Sequence, residues 1–259
     1  MRAVGLHADV IVVTSRMWQT TCTLVRSGEE AFCVDSPCFP DELEILPAVA
    51  EQAAFRVVGL LATHADWDHV LGRYAFPEAP LGVGESTALR LRNEPGDVQR
   101  KLRAFDESHY LDRPSPLALP TPQLLPVPGR CDLGEQELEL HVAEGHTADG
   151  MAIWIPWAGV LVAGDYLSPV EIPMISDGGS LSAYLATLAR LEPLVEQAAH
   201  VVPGHGGAID GARAAGILRE DRSYLEAVRD HGADAPLPLA RRSGEQKRIH
   251  ADNVAAVAG

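Results

Sequence analysis

Short apolar runs, broken by glycine, proline and acidic residues, recur along this chain. Val10-Ile11-Val12-Val13 reads as a strand, and Thr21 to Val25 and Ala31 to Val34 bracket Ser27-Gly28-Glu29-Glu30, a hairpin signal. From Asp41 to about Ala54 the spacing becomes helical, with Leu43, Ile45, Leu46 and Val49 as the apolar stripe. Arg56-Val57-Val58-Gly59-Leu60-Leu61-Ala62 returns to a buried strand. Residues 85 to 115 read as a helical insertion with Leu89, Leu91 and Leu102 as apolar points, followed by a proline-rich stretch from Pro114 to Pro128. Met151 to Ile155 and Gly159 to Ala163 form a second hairpin around Pro156-Trp157-Ala158. Three further helices are predicted: Ser180 to about Gln197, capped by Ser180 or Ser182, then Asp210 to about Asp230, then Ser243 to Val257. Alternating strands and helices predict α/β layering. No run of 18 or more apolar residues is present, so no membrane partner is predicted.

At 259 residues without a composition shift, the chain is read as a single domain over 1–259. The net charge of −15, from 36 acidic and 21 basic residues, argues against a nucleic-acid partner, which needs a basic footprint. Arg241-Arg242 and Lys247-Arg248 are accordingly read as a solvated helix face. The first residues hold no long apolar signal region, which places the protein in the cytoplasm. Cys22, Cys33, Cys38 and Cys131 form no Cys-x-x-Cys pair and are read as reduced structural thiols; a Cys33–Cys38 disulfide is sterically conceivable but disfavoured there. A small-molecule substrate is expected, and a homo-oligomer is left open.

Candidate chemistry concentrates at strand ends. Thr63-His64-Ala65-Asp66-Trp67-Asp68-His69 directly follows the run at 56–62. In extended backbone, residues i and i+2 point the same way, so His64 and Asp66 can grip one metal ion. Asp68 and His69 lie where the chain turns and can face a second ion. Such a density of imidazole and carboxylate suits Zn²⁺, Fe or Mn²⁺. The alternative for the segment taken alone is a polar loop with no ligand role. Three later segments argue otherwise: Gly145-His146-Thr147, Gly164-Asp165-Tyr166 and Pro203-Gly204-His205-Gly206 each place a glycine-flanked ligand type after a strand-like run.

This ordered set resembles the metallo-β-lactamase-fold hydrolases, whose pattern is His-x-His-x-Asp-His, a lone His, a lone Asp and a late His. Here it falls on His64, Asp66, Asp68 and His69, then His146, Asp165 and His205. The resemblance covers about residues 8 to 210 and is followed by C-terminal helices over about 210–258. It implies a four-layer αββα sandwich and two divalent metal ions, zinc first. By the same resemblance His64, Asp66 and His146 hold one ion, Asp68, His69 and His205 hold the other, and Asp165 bridges them. Asp68 is also the catalytic candidate, steering the nucleophile or passing a proton to the leaving group. Two such ions roughly 3.5–4 Å apart would activate a shared water and polarise a carbonyl or phosphoryl oxygen.

Asp66 departs from the pattern, which usually has His there. It is read as a ligand replacing that His, with two alternatives: it points away, or it signals iron or manganese, since oxygen donors suit harder ions. Flavodiiron relatives carry a carboxylate at this point but typically lack the last His, present here as His69.

Spacings of 19 residues from His146 to Asp165 and 40 from Asp165 to His205 suit a compact core without an inserted nuclease domain. Compared with these relatives the chain most resembles the glyoxalase II, lactonase and thioesterase side of the family, and that resemblance implies a small ester, thioester or lactone substrate. The alternatives are a non-haem iron redox enzyme resembling persulfide dioxygenases, a phosphodiesterase or β-lactam hydrolase, and a regulatory module with a degraded site.

The 76 residues between His69 and His146 are read as a lid or pocket wall, or as a plain insertion. Phe105, His109 and Tyr110 are its candidate contacts, with Tyr110 able to donate a hydrogen bond to a substrate oxygen. Trp67 is expected to pack behind the ligand loop. His250 and Asn253 are expected at the surface, with support of the site as the alternative. His7, His141, His200 and His231 are treated as background.

Overall fold

In the computed structural model, which describes residues 1–176 and 178–258, two sets of strands build two facing sheets. The first holds β1 (Arg2–His7), β2 (Val10–Thr14), β3 (Thr21–Ser27), β4 (Glu30–Asp35), β5 (Arg56–Leu61), β6 (Leu81–Gly84) and β7 (Gln123–Leu125), side by side in that order. It is antiparallel from β1 to β4 and parallel from β4 to β7. The second holds β8 (Gly129–Leu133), β9 (Gln136–Val142), β10 (Met151–Ile155), β11 (Val160–Gly164), β12 (His200–Pro203) and β13 (Ile209–Asp210), with only β11 and β12 parallel. The helices described are α1 (Pro40–Gln52), α2 (Gly72–Ala75), α3 (Glu85–Asn93), α4 (Asp97–His109), α5 (Leu181–Gln197), α6 (Gly211–His231) and α7 (Gly244–Ala258). Among the described residues no helix is long and apolar enough to cross a membrane.

Alternation along each strand decides the layering. Val10, Val12, Val25 and Val34 meet Leu138, Leu140, Met151, Ile153, Val160 and Val162 between the sheets. Their neighbours turn outward: Leu24, Cys33 and Leu60 pack against Leu43 and Leu46 of α1, while Ala152, Trp154, Leu161 and Ala163 pack against α5 and α6. The result is the expected α, β, β, α order.

Parallel neighbours need a crossover, and each sheet has a helical one: β4–α1–β5 and β11–α5–β12. Both crossovers leave the carboxyl ends of their strands at one rim of the sandwich. There Thr21 N–H donates to Gly204 O at 2.8 Å and Thr20 bridges to His205, stitching the two sheets together.

Several expectations are corrected. The insertion at 85–115 is two helices, broken at Glu94-Pro95-Gly96, where proline disfavours helix in the residue before it and Gly96 takes φ +76°. Arg241 is no solvated helix residue: it precedes α7, is fully buried, and pairs with Asp221 Oδ1 at 2.6 Å through Nη1. The cysteines follow their expectation: all four are free thiols, and Cys33 Sγ lies 3.4 Å from Cys22 Sγ rather than against Cys38.

Candidate metal centre

The loop after β5 bends over Thr63, His64 and Ala65 and is held in place by carboxylates from elsewhere. Thr63 donates its N–H to Asp35 Oδ1 at 2.8 Å and its hydroxyl to Asp35 Oδ2 at 2.9 Å, and Ala65 N–H donates to Asp149 Oδ2 at 2.8 Å. The expected straight extension is thus corrected: the chain bends here, and His64 and Asp66 still reach a common centre. A single 3₁₀ turn over Trp67–His69, closed by His69 N–H on Asp66 O at 3.1 Å, then aims Asp68 and His69 inward. The other loops depend on glycine. Gly145 takes φ +124°, where a side chain would strike the Tyr184 backbone, and a Cβ on Gly204 would collide with Asp165 Oδ1.

The seven predicted side chains come together. His64, Asp66 and His146 form one set and Asp68, His69 and His205 another, each with donor atoms within 4.8 Å of one another. In the first set Asp66 Oδ2 lies 3.6 Å from His64 Nε2 and 3.4 Å from His146 Nε2. In the second Asp68 Oδ2 lies 3.7 Å from His69 Nε2 and 3.5 Å from His205 Nε2. Asp165 stands between them. Its Oδ2 is 3.2 Å from His146 Nε2 and 3.3 Å from His205 Nε2, and its Oδ1 is 3.2 Å from His69 Nε2. Asp66 therefore points into its set rather than away from it.

Every imidazole turns Nδ1 outward onto a fixed partner. His69 meets Asp35 Oδ2 at 3.0 Å, His146 meets Met174 O at 2.8 Å, His205 meets Trp18 O at 3.3 Å and His64 meets Thr63 Oγ1 at 3.1 Å. Such partners orient a ring and direct its Nε2 lone pair to a cation. Within the cluster, Nε2 of His64, His69 and His146 and Oδ1 of Asp165 are buried without a hydrogen-bond partner. They approach neighbours closely yet lack hydrogen-bond alignment, because they face common centres rather than one another. Buried polar atoms are almost always paired, so orphans converging in this way fit cation binding. The donor set, imidazole nitrogen and carboxylate oxygen, suits Zn²⁺, Fe or Mn²⁺.

Charge follows the same geometry. Burial alone would lower the imidazole pKa values, but the facing carboxylates outweigh it: His146 rises to about 9 through Asp66 and Asp165, and His205 to about 10 through Asp165 and Glu171. His69 is raised likewise by Asp165, Asp68 and Asp35. Burial would raise Asp165, yet His205, His69 and His64 hold it well below the usual carboxylate range. Asp66 is held low by His146 and His64 against the same burial.

Residues that sequence reasoning missed surround this centre. Asp35 and Asp149 are buried carboxylates that hold the ligand loop. Asp35 ends an apolar strand as Asp165 does, a signal that was available. Asn253 is fully buried, correcting its expected surface position: its Oδ1 accepts Ile175 N–H at 2.8 Å and its Nδ2 donates to Pro173 O at 2.6 Å. That pins the segment whose Met174 carbonyl orients His146. His250 is half-buried and its Nδ1 meets Tyr224 OH at 3.0 Å. Phe105 packs on Trp67 with ring centroids 4.6 Å apart, and Trp18 joins them at 5.5 Å from Phe105, so α4 backs the ligand loop. Tyr110 is 96% exposed and does not face the site, and His109 packs on Phe105 at the surface. Trp18 and Gln19 adopt φ of +49° and +53°, a costly left-handed pair that delivers the Trp18 carbonyl to His205. A cavity of about 270 Å³ opens onto Asp68, His146, Asp165 and His205 and is also lined by Trp18 and by Arg248 and Ile249 of α7.

Residues 16–205 match the family model described as the metallo-beta-lactamase superfamily. Among solved structures, a metallo-beta-lactamase from Pontibacter korlensis is similar at 19% identity and TM-score 0.64, covering 84% of this chain and 98% of its own. A metallo-beta-lactamase family protein from Thermus thermophilus is similar at 18% identity and TM-score 0.71, covering 97% and 92%. The sec-alkylsulfatase Pisa1 from a Pseudomonas species is similar at 14% identity and TM-score 0.71, with 98% of this chain on 49% of that one. At these identities the likeness is one of fold. No curated protein matches the chain.

Proposed function

Since the chain belongs to the metallo-β-lactamase superfamily, whose members are mostly metal-dependent hydrolases, we propose that its cluster is a dinuclear hydrolytic centre acting on a small ester, thioester or lactone. The observation that carries this is the pair of three-residue donor sets meeting at one shared carboxylate, Asp165, with orphaned nitrogens aimed between them. His64, Asp66 and His146 would hold one divalent ion, zinc first, and Asp68, His69 and His205 the other. Bound there, such ions supply Lewis acidity and lower the pKa of water to near 7.

The chain's own groups do the rest. Asp35, Trp18 and Met174 fix the ring orientations, so the donor geometry is set before substrate arrives. Asp68 faces the cavity with Oδ2 between the His69 and His205 nitrogens, where it can orient an attacking water and carry its proton to the leaving group. The cavity of about 270 Å³ beside Asp68 leaves room for a small-molecule substrate at the cluster.

One observation favours a second reading. Asp66 gives the first set an oxygen donor, which suits iron or manganese and hence a non-haem iron enzyme resembling persulfide dioxygenases. Hydrolysis of thioester, lactone, phosphodiester, sulfate-ester and β-lactam substrates, assayed beside metal content and dioxygen consumption, separates the two. We expect turnover of an ester, thioester or lactone that chelation abolishes. Substituting His69 or Asp165 with Ala should abolish it too and lower bound metal; activity unchanged in both variants would overturn the site assignment.

A further inference from the structure

Asp66 stands where the resemblance leads one to expect an imidazole, and a carboxylate there needs control that an imidazole does not. It has two equivalent oxygens and can turn one or both toward a cation. Arg90 of α3 supplies that control. Its Nη2 donates to Asp66 Oδ1 at 2.7 Å, leaving Oδ2 to face His64 and His146. Its Nη1 donates to Asp149 Oδ1 at 2.8 Å, and Asp149 Oδ2 is itself held by Ala65 N–H. The Arg90 side chain is only 10% exposed, and its Nε faces Glu94 Oε2 at 3.4 Å. Asp149 thus anchors the guanidinium, and the guanidinium anchors Asp66.

Resting on the cation-binding reading above, we propose that Arg90 is the positioning residue of the first cation set, holding Asp66 as a one-oxygen donor. A guanidinium suits this because its planar fork spans two carboxylates and it never deprotonates; a lysine ammonium is a point charge that cannot hold both. The insertion at 85–115, expected as a lid or pocket wall, therefore reaches the site through Arg90 of α3.

The test uses the full chain stripped by chelation and titrated with Co²⁺ and Zn²⁺. Bound equivalents and affinities are read by equilibrium dialysis with elemental analysis, and the Co²⁺ visible bands report coordination. Arg90→Ala should weaken one equivalent 10–100-fold, the range for losing a group that orients a ligand, and leave the other at native affinity. Arg90→Lys should fall between. In an Asp66→His background, where an imidazole needs no fork, Arg90→Ala should change affinity less than threefold. Two equivalents at native affinity in Arg90→Ala would overturn the Arg90 role alone. So would an equal weakening of both equivalents with a lower thermal midpoint of the cation-free protein, or a full loss persisting in the Asp66→His background. A native chain that binds neither ion would instead overturn the cation-binding reading.

Discussion

Asp165 carries more of this account than any other side chain, because both donor sets approach it and nothing else aligns with its Oδ1. Its position depends on the bare backbone of Gly204, where a Cβ would collide with that oxygen. Gly204→Ala should therefore lower bound metal and activity without altering any ligand, as elemental analysis beside a native-like circular dichroism spectrum would register. The imidazoles make a second prediction. In the cation-free protein His146 and His205 keep protons to about 9 and about 10, against 6.5 ordinarily. The folded state then binds more protons than the unfolded one, so their stabilisation is complete below pH 6.5 and fades as pH rises to about 10. A chelated sample should lose thermal midpoint across that window, and saturating zinc, taking the same nitrogens, should remove the loss. A flat profile in chelator would contradict this. At this scale the ligand types were legible because each follows an apolar strand. Arg90 was not, since nothing in the sequence of a surface helix marks which of its arginines turns inward.

Among elements, the carboxyl ends of β4, β5, β11 and β12 supply the rim, and helices flank it. The C-terminal helix α7 works at a distance: Asn253 holds the 173–175 segment, whose carbonyl holds His146. Asn253→Ala leaves buried partners unsatisfied and should cost about 2–4 kcal/mol in urea unfolding, with weaker metal retention beside it. Tyr110→Ala, by contrast, should leave turnover and stability within error, because that ring lies in solvent. The helices α5 and α6 were readable from their periodicity and their caps: Ser180 accepts Ala183 N–H and Asp210 accepts Arg213 N–H. Short strands such as β6 and β7 were not, being three or four residues long and paired only through distant neighbours. The break between α3 and α4 was signalled by Pro95-Gly96 but needed the structure to weigh it.

For the molecule as a whole, the sandwich brings together four loops that are far apart in sequence and leaves their unpaired donors at one rim. Periodicity predicts the layers; only tertiary pairing, such as Thr21 on Gly204, decides that the rims of the two sheets coincide. Cation binding to such a rim should be part of the protein's stability. At a thousandfold excess over Kd each ion would add about 4 kcal/mol, so chelation of both should lower the thermal midpoint by on the order of 15 °C or more.

The most direct measurement is anomalous diffraction from a crystal grown with ample zinc. We predict two peaks, one within reach of His64, Asp66 and His146 and one within reach of Asp68, His69 and His205, with Asp165 touching both. Density without a peak at either position, or zinc bound only elsewhere on the surface, would contradict the account.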